Sequence, residues 1–266
     1  MNAPTVRIQK IRKDTVKTRL IVFGALALLL LVCSVFSEHL RPYDPYLQDL
    51  TNVKAPPSAE HLFGTDRYGR DMLSRVIVGS RTSIFTTLLL VAIITAVGTV
   101  VGVFCGWHGG KLDTILMRIS DMFLAFPGLV FALAAISWPK YARIARSQTL
   151  AQKETPYTKA ARLSGSGTVK ILAVHILPNI VGPILVTSML DIGTMMMELA
   201  GLSFLGLGAK PPIAEWGSMM SENRALFTTV PWITLAPGLA IFVSVMIFNL
   251  LGDTVRDWAD PRTRGR

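Results

Sequence analysis

The chain has 266 residues, of which 51% are hydrophobic and only 17% are charged, and its mean hydropathy is +0.46. A soluble globular domain carries about 25% charged residues, so this composition excludes an ordinary soluble domain and indicates an integral membrane protein. The formal net charge of +10 would suit a nucleic-acid partner, but the basic residues are grouped at the ends of apolar stretches. We therefore interpret the charge as topological and expect no nucleic-acid binding.

The N-terminal segment 1–19 carries six lysines and arginines against one acid, Asp14, and 18 uncharged residues follow it. A bilayer-spanning helix needs roughly 17 to 25 predominantly apolar residues, so 20–36 is predicted to be the first transmembrane helix. The positive-inside rule places residues 1–19 in the cytoplasm. A cleaved secretory signal is the alternative, but 18 uncharged residues exceed the length of its usual apolar region.

An external loop is predicted at 37–81, because a chain that starts inside leaves the membrane after one crossing. This loop holds six basic and six acidic residues and several turn-forming stretches. A helix that starts near Asp71 can lead into the second span, which lies within the 29 uncharged residues between Arg81 and Lys111. Cys105 lies in this span and Cys33 in the first, where both are expected to be packing residues.

A weaker apolar stretch at 122–139 can cross the membrane once. The residues that follow, 139–175, hold seven lysines and arginines and one acid, Glu154, an imbalance that belongs in the cytoplasm. Simple alternation would place them outside and would misplace the C-terminal arginines as well. We therefore hypothesise that one span, roughly 20 residues, is missing or shortened near 129–138, through a real deletion or an omitted stretch of sequence.

Two further spans are predicted, one at 176–208 and one within the 28 uncharged residues between Arg224 and Asp253. The permease-like core then covers 82–252 and includes a cytoplasmic loop at 139–178, and 253–266 forms a cytoplasmic tail. Because lipid offers the backbone no hydrogen-bond partners, these spans predict an all-α, polytopic helical bundle.

The basic central segment 157–179 reads YTKAARLSGSGTVKILAVHILPN. Its glycines predict a helix, a turn and a second helix on the cytoplasmic face, with Pro178 at the start of a helix. The order of Ala160, Ala161, Gly165, Leu177 and Pro178 resembles the cytoplasmic loop of permease subunits of binding-protein-dependent ABC importers. That pattern reads EAA, three residues, Gly, nine residues, Ile-x-Leu-Pro; here Lys159 replaces the Glu and His175 replaces the Ile.

Three flanking stretches sharpen the resemblance: HLFGTDRYGRDMLSR (61–75), GLSFLGLGAKPPIAEWGSMM (201–220) and FNLLGDTVRDWADP (248–261). They are similar to the second, C-type, permease of dipeptide, oligopeptide and nickel importers. The resemblance implies six spans in a bacterial or archaeal cytoplasmic membrane. It also implies a sister permease, an extracytoplasmic solute-binding protein and two cytoplasmic ATPase subunits that bind ATP and Mg. The cargo would be di- or oligopeptides, or a nickel complex.

No cofactor or ATPase site is expected in this chain. The phosphate-binding pattern GxxxxGK[ST] comes nearest at Gly110-Lys111, where Cys105 and Leu112 replace the required residues. The histidines are scattered without ligand spacing, so no metal site is expected.

The resemblance and the charge pattern together name three groups of candidate site residues. The ATPase-coupling group, by resemblance, contains Lys159, Ala160, Ala161, Gly165, Gly167, His175, Leu177 and Pro178. A translocation face is predicted at Asp191, Thr194, Met195 and Glu198, since ionisable residues inside a span are costly and Asp191 and Glu198 lie two helical turns apart. The alternative, favoured for Glu198, is that the carboxylates lie near the membrane surface or pair with a basic residue of the partner permease. A group facing the binding protein is predicted, by resemblance, at Asp66, Arg67, Arg70 and Asp71, with a solvated surface helix as the alternative.

Two other functions compete with the permease. A secondary transporter would often show an internal repeat, and none is found in the sequence. An intramembrane enzyme would use Asp191 and Glu198 as an acid pair, but two turns separate them by about 10 Å along the helix axis, too far to share a proton.

Overall fold

A computed structural model describes residues 3–125 and 130–259, and the predicted all-α fold is confirmed. Within these ranges no strand forms beyond an isolated bridge between Thr65 and Asp71. The helices, in chain order, are α1 (Ala3–Val35), α2 (Ser37–Leu40), α3 (Met72–His108), α4 (Gly110–Ala125), α5 (Val130–Lys153), α6 (Pro156–Leu163), α7 (Thr168–Lys170), α8 (Leu177–Leu202), α9 (Trp216–Asn223) and α10 (Pro231–Ala259).

Four described helical stretches are long and apolar enough to cross a bilayer: Thr15–Val35, Met72–His108, Thr168–Leu207 and Pro231–Ala259. They correspond to four of the five predicted spans. The fifth prediction, 122–139, falls partly on residues 126–129, which lie outside the described residues. Its described flanks belong to α4 and α5, and neither helix is among the four candidates.

The chain divides into two compact units, 1–89 with 189–266, and 90–188. In the first unit α1 packs on α10, and α10 packs on α9. Its core is built from apolar residues of these helices, of α8 and of the first turns of α3; they include Met72, Ile84, Met196, Trp216, Met219, Ile233 and Phe248. The outward face of α10 stays exposed, with Leu239 and Phe242 at 60% and 62%, as expected for a helix that contacts lipid.

Helix α9 is held by a buried carboxylate at its N-terminus. Glu215 has an extended backbone, and its side chain accepts hydrogen bonds from the N–H groups of Gly217 and Ser218 at 2.9 and 2.8 Å. The Ser83 hydroxyl also donates to Glu215, at 3.3 Å, and the Trp216 indole N–H donates to the Val76 carbonyl at 2.9 Å. These bonds satisfy the first free N–H groups of α9 and fix it against α3.

In the second unit, α3 presents three glycines at four-residue intervals, Gly98, Gly102 and Gly106, and α5 lies against them. A Cβ atom at Gly98 would stand 2.5 Å from the Trp138 carbonyl oxygen, and one at Gly106 would stand 2.8 Å from the Arg146 carbonyl oxygen. These glycines are therefore required for the close approach of the two helix backbones.

Helix α4 is tied to α5 by a two-pronged ion pair. Arg146 Nε and Nη2 donate to the two carboxylate oxygens of Asp113, both at 2.6 Å, and this hydrogen bonding raises the pKa of Arg146. Paired N–H···O bonds of this kind are among the stronger charged contacts in proteins.

The prediction that Pro178 starts a helix is only partly correct. Helix α8 begins at Leu177, but it continues from α7 through a π-helical turn at Ile171–Ile176. A wider π turn is one way to fit an interrupted hydrogen-bond ladder inside a helix, so proline does not end the helix here. Asn179 donates a side-chain hydrogen bond to the His175 carbonyl at 2.6 Å, which satisfies one acceptor of this turn.

Candidate functional site

Helix α6 carries the central motif and has a well-defined start and end. Thr155 precedes it with an extended backbone and Pro156 occupies its first position, where the missing N–H has no intrahelical partner to lose. At its C-terminus the Gly165 N–H donates to the Arg162 carbonyl and the Ser166 N–H to the Ala161 carbonyl, both at 3.1 Å. This pair of bonds is the Schellman motif, so the predicted helix and turn are confirmed.

The two glycines of the motif have different structural demands. Gly165 has φ +77°, the left-handed conformation that ends a helix, whereas Gly167 has φ −65°, which any L-residue can adopt. A Cβ atom at either position would meet no neighbour within 4 Å. Only Gly165 is therefore required by the backbone.

We expect Gly165→Ala to destabilise the turn by about 1 kcal/mol, because alanine is disfavoured in the left-handed region. Gly167→Ala, the matched control, should have no such effect. Hydrogen exchange of the peptide covering 156–176 measures the stability of the turn in both variants. Exchange should be about fivefold faster in Gly165→Ala alone; equal exchange in the two variants would contradict this account of the turn.

The surface of this loop combines exposed apolar and basic side chains. Leu163 is 90% exposed, Val169 is 79% exposed and Val174 is 56% exposed, and Arg162 and Lys170 lie exposed beside them. Large apolar side chains on a polar surface are typical of a site that another protein covers. We call the surface formed by residues 157–179 the coupling surface.

The coupling-group residues take different places on this surface. Lys159, Ala160, Gly165, Gly167, Leu177 and Pro178 are exposed, and Ala161 and His175 are half-buried. Lys159 pairs with Glu154 at 3.0 Å, and the hydrogen bond from Lys159 lowers the pKa of Glu154. The His175 ring lies 6.4 Å from the Tyr157 ring, so the two limbs of the loop meet.

Two residues of the predicted translocation face on α8 are buried and two are exposed. Asp191 and Met195 are each 7% exposed, whereas Thr194 and Glu198 lie exposed on the same helix. Gly193 lies tightly against the Asn249 side chain, and the Gly252 position lies against the backbone of Leu190. Close packing against α10 therefore covers one side of α8 in this region.

The charged residues of the loop before α3 form a buried network instead of a surface cluster. Asp66, Arg70 and Asp71 are 0%, 3% and 4% exposed, whereas Arg67 is half-buried. They precede α3 in non-helical backbone, so the surface-helix alternative is wrong. Whether this group faces a binding protein stays a prediction.

The Asp66 carboxylate is the centre of the network. One oxygen accepts the N–H groups of Tyr68 and Arg70, at 2.8 and 3.0 Å, and the other accepts Arg70 Nε at 2.6 Å. Arg70 Nη2 donates to Glu222 of α9 at 3.2 Å. The guanidinium of Arg70 also lies 4.7 Å from the centre of the Tyr68 ring.

A second contact of the network joins Asp71 and His61, whose Nδ1 lies 2.9 Å from a carboxylate oxygen. The other oxygen of Asp71 accepts the Ser74 N–H at 2.7 Å, in the first turn of α3. Sequence reasoning missed Glu222 and Glu215. Both are isolated acidic residues in a weakly charged part of the sequence. A buried acid needs a partner, so their isolation was the signal that could have identified them.

Comparison with known proteins agrees with these features. Residues 129–265 match the family described as binding-protein-dependent transport system inner membrane component. The chain is 38% identical to the nickel transport system permease protein NikC of Escherichia coli (strain K12), over 93% of this chain and 94% of that protein. It is 36% identical to the dipeptide transport system permease protein DppC of Haemophilus influenzae, over 89% of this chain and 88% of that protein.

A third relative is the glutathione transport system permease protein GsiD of Escherichia coli O6:K15:H31, 40% identical over 90% of this chain and 84% of that protein. The alignment with NikC is 264 positions long, whereas 93% of this chain is about 247 residues, so about 17 positions have no residue here. Sequence, fold and comparisons agree: the chain is an integral membrane permease, not an enzyme, and belongs to the family of inner membrane components of binding-protein-dependent ABC importers.

Proposed function

We propose that this chain forms half of the translocation pathway of an importer for di- or oligopeptides or a nickel complex. In this proposal a solute-binding protein delivers the cargo, a sister permease supplies the other half, and two cytoplasmic ATPase subunits bind ATP and Mg and supply the energy. The observation that supports it most is the coupling surface. A rigid short helix with a defined turn presents uncovered apolar side chains beside basic ones.

The coupling surface has the chemistry of a docking site for an acidic groove. Burial of side chains as exposed as Leu163 and Val169 on a partner would stabilise the complex by roughly 25 cal/mol per Å² of apolar surface removed from water. The lysines and arginines around them would select a partner of opposite charge and guide its approach. The ATPase subunits are the partners that this proposal assigns to the surface.

The four candidate spans support a cytoplasmic N-terminus. With residues 1–19 inside, two crossings place the basic segment that begins at 139 in the cytoplasm and four place the C-terminal arginines there, as their charge requires. The segment 37–71 would then lie outside.

The orientation is tested with single cysteines. We expect Leu47→Cys, 70% exposed, to react with a membrane-impermeant maleimide in intact spheroplasts. Leu163→Cys, 90% exposed, should react only after permeabilisation. Both variants are made after Cys33→Ser and Cys105→Ala, which remove the native thiols. The reverse labelling pattern would refute the proposed orientation.

We also propose that the shortfall against the relatives lies between α4 and α5, because a crossing at 122–139 would need a second crossing beside it to keep the basic segment 139–175 in the cytoplasm. About 17 unmatched positions are close to the roughly 20 residues of one span. The intact mass distinguishes the two origins: a real deletion gives 29.1 kDa, whereas an omitted stretch of sequence would add about 2 kDa, the mass of one span.

On α8 we assign the pathway to the exposed residues Thr194 and Glu198. An exposed carboxylate inside a span suits a cationic cargo, such as a peptide amino terminus or a metal complex. Asp191 and Met195 are buried and fit a supporting role in packing. The external residue Arg67, the least buried of its group, is the one we assign to the binding-protein side.

The function is tested by co-purification and uptake with the full-length chain. We expect the sister permease and two ATPase subunits to co-purify with it in detergent. Uptake of radiolabelled nickel or dialanine should fall to background in cells that lack the gene and return with it. Glu198→Gln should lower uptake of the transported probe several-fold, whereas Glu60→Gln, an exposed acid in the external loop, serves as the control. A chain that purifies without ATPases would refute the proposal.

A further inference from the structure

The C-terminus of α3 is tied to the end of α5 through Trp107. This residue lies in the last turn of α3 and is 8% exposed. Lys153, the last residue of α5, donates from Nζ to the Trp107 carbonyl oxygen at 2.6 Å. The last carbonyls of a helix have no partner within the helix, and a lysine there satisfies both the hydrogen bond and the negative end of the helix dipole.

The indole ring of Trp107 also meets α6. The Arg162 guanidinium lies 4.8 Å from the ring centre and the Lys153 ammonium lies 5.6 Å from it. Tryptophan is the aromatic side chain that attracts cations most strongly, through the negative face of its ring. A single side chain of α3 therefore holds one cation from the end of α5 and one from the coupling helix.

We propose that Trp107 is a positioning residue that joins α6 to the cytoplasmic end of α3. Only two residues, Glu154 and Thr155, connect α5 to α6, and the glycine contacts at Gly98, Gly102 and Gly106 lock α5 to α3. With Arg162 seated on Trp107, a displacement of α6 moves α3 as well. This inference rests on the proposed function, because it takes the ATPase subunits as the source of that displacement.

The burial pattern of α6 supports this role. Thr158 is completely buried, while Leu163 at the other end of the helix is 90% exposed. One end of α6 is thus anchored within the unit and the other is left for a partner. Arg162 lies next to the exposed end, so its contact with Trp107 is the point at which force on that end reaches α3.

The experiment uses the complete complex with its ATPases and binding protein, reconstituted in lipid vesicles and labelled with 5-fluorotryptophan. The variants are Trp107→Leu, Trp107→Phe, Arg162→Gln and the Leu/Gln double variant. Arg118→Gln is the control, since it removes an exposed arginine of α4 outside this contact. The fluorine resonance of Trp107, assigned by its loss in Trp107→Phe, is recorded with and without vanadate-trapped nucleotide. ATP hydrolysis and uptake of radiolabelled nickel and dialanine are measured in parallel.

We expect Arg162→Gln, but not Arg118→Gln, to shift the Trp107 resonance. Trp107→Leu should keep the ATPases bound and hydrolyse ATP within twofold of the unaltered complex, yet transport at least fivefold less per ATP. Arg162→Gln should lower transport per ATP by a similar factor. Trp107→Phe should transport per ATP within twofold of the unaltered complex, because phenylalanine keeps an aromatic face. The double variant should resemble the worse single variant, since both changes break one contact.

Three results would overturn the inference: an unchanged Trp107 resonance in Arg162→Gln, additive losses in the double variant, or a ratio of transport to hydrolysis that Trp107→Leu leaves unaltered. Loss of the ATPases from Arg162→Gln alone would also overturn it, because it would place Arg162 in the docking contact. An unaltered chain that binds no ATPase would instead refute the proposed function.

Discussion

Replacement of Arg70 by methionine should lower the free energy of unfolding by about 3–5 kcal/mol, the range measured when one partner of a buried ion pair is removed. The change leaves the Asp66 carboxylate, 1% exposed, without its closest cation at 2.6 Å. It also leaves the Glu222 carboxylate, 9% exposed, without its contact at 3.2 Å. Methionine fills a similar volume, so the loss reports the charges and not a cavity.

The measurement is the thermal midpoint of the detergent-purified chain, followed by fluorescence size-exclusion chromatography. Arg81→Met is the matched control, because Arg81 pairs with Glu38 at 2.9 Å on the surface, with both side chains more than half exposed. A pair of that kind contributes about 0–1 kcal/mol. Equal midpoints for the two variants would show that the network around Asp66 does not stabilise the fold.

A single methyl group at Gly102 should separate α3 from α5. The Cβ atom of Gly102→Ala would fall on the Ala142 carbonyl oxygen and stand 2.7 Å from the Ala145 Cβ. Both obstacles belong to backbone or to short rigid side chains, so the helices must move apart. Such overpacking costs about 1–3 kcal/mol. Because α6 follows α5 closely, we expect transport to fall at least tenfold, together with stability.

Gly182→Ala is the control for this change, since Gly182 lies in α8 and a Cβ atom added there would meet nothing within 4 Å. Alanine in an open helical position stabilises a helix by about 0.5–1 kcal/mol relative to glycine. The thermal midpoint and the uptake by the reconstituted complex are measured for both variants. If Gly102→Ala unfolds at the temperature of the unaltered chain, the close approach of α3 and α5 does not exist in the membrane.

Long uncharged stretches were sufficient to predict four spans, because the thickness of the bilayer fixes how many apolar residues a crossing helix needs. The order of Ala160, Ala161 and Gly165 was sufficient to predict α6 and the turn that ends it, since a glycine in the left-handed conformation commonly ends a helix. The helix entering the second span was also located correctly, as α3 begins at Met72.

The network around Asp66 could not be predicted in the same way. Asp66, Arg67, Arg70 and Asp71 have a spacing typical of a helix, but these residues lie in irregular backbone. The partner that helps to bury Arg70 is Glu222, 152 positions further along the chain. The local spacing of residues holds no information on such a pair. It also does not reveal that the Trp107 ring contacts Lys153 and Arg162, which belong to two later helices.

The separation of Arg70 and Glu222 also sets an order for biogenesis. In the proposed orientation, the loop before α3 is translocated before α9 is synthesised, so Asp66 and Arg70 stay in water until Glu222 follows. Contacts between such distant positions close late and slowly, because the intervening chain must first be ordered. In that orientation, a ribosome stalled before residue 222 would therefore leave a nascent chain with its first two spans inserted and the loop before α3 open to proteases outside the membrane.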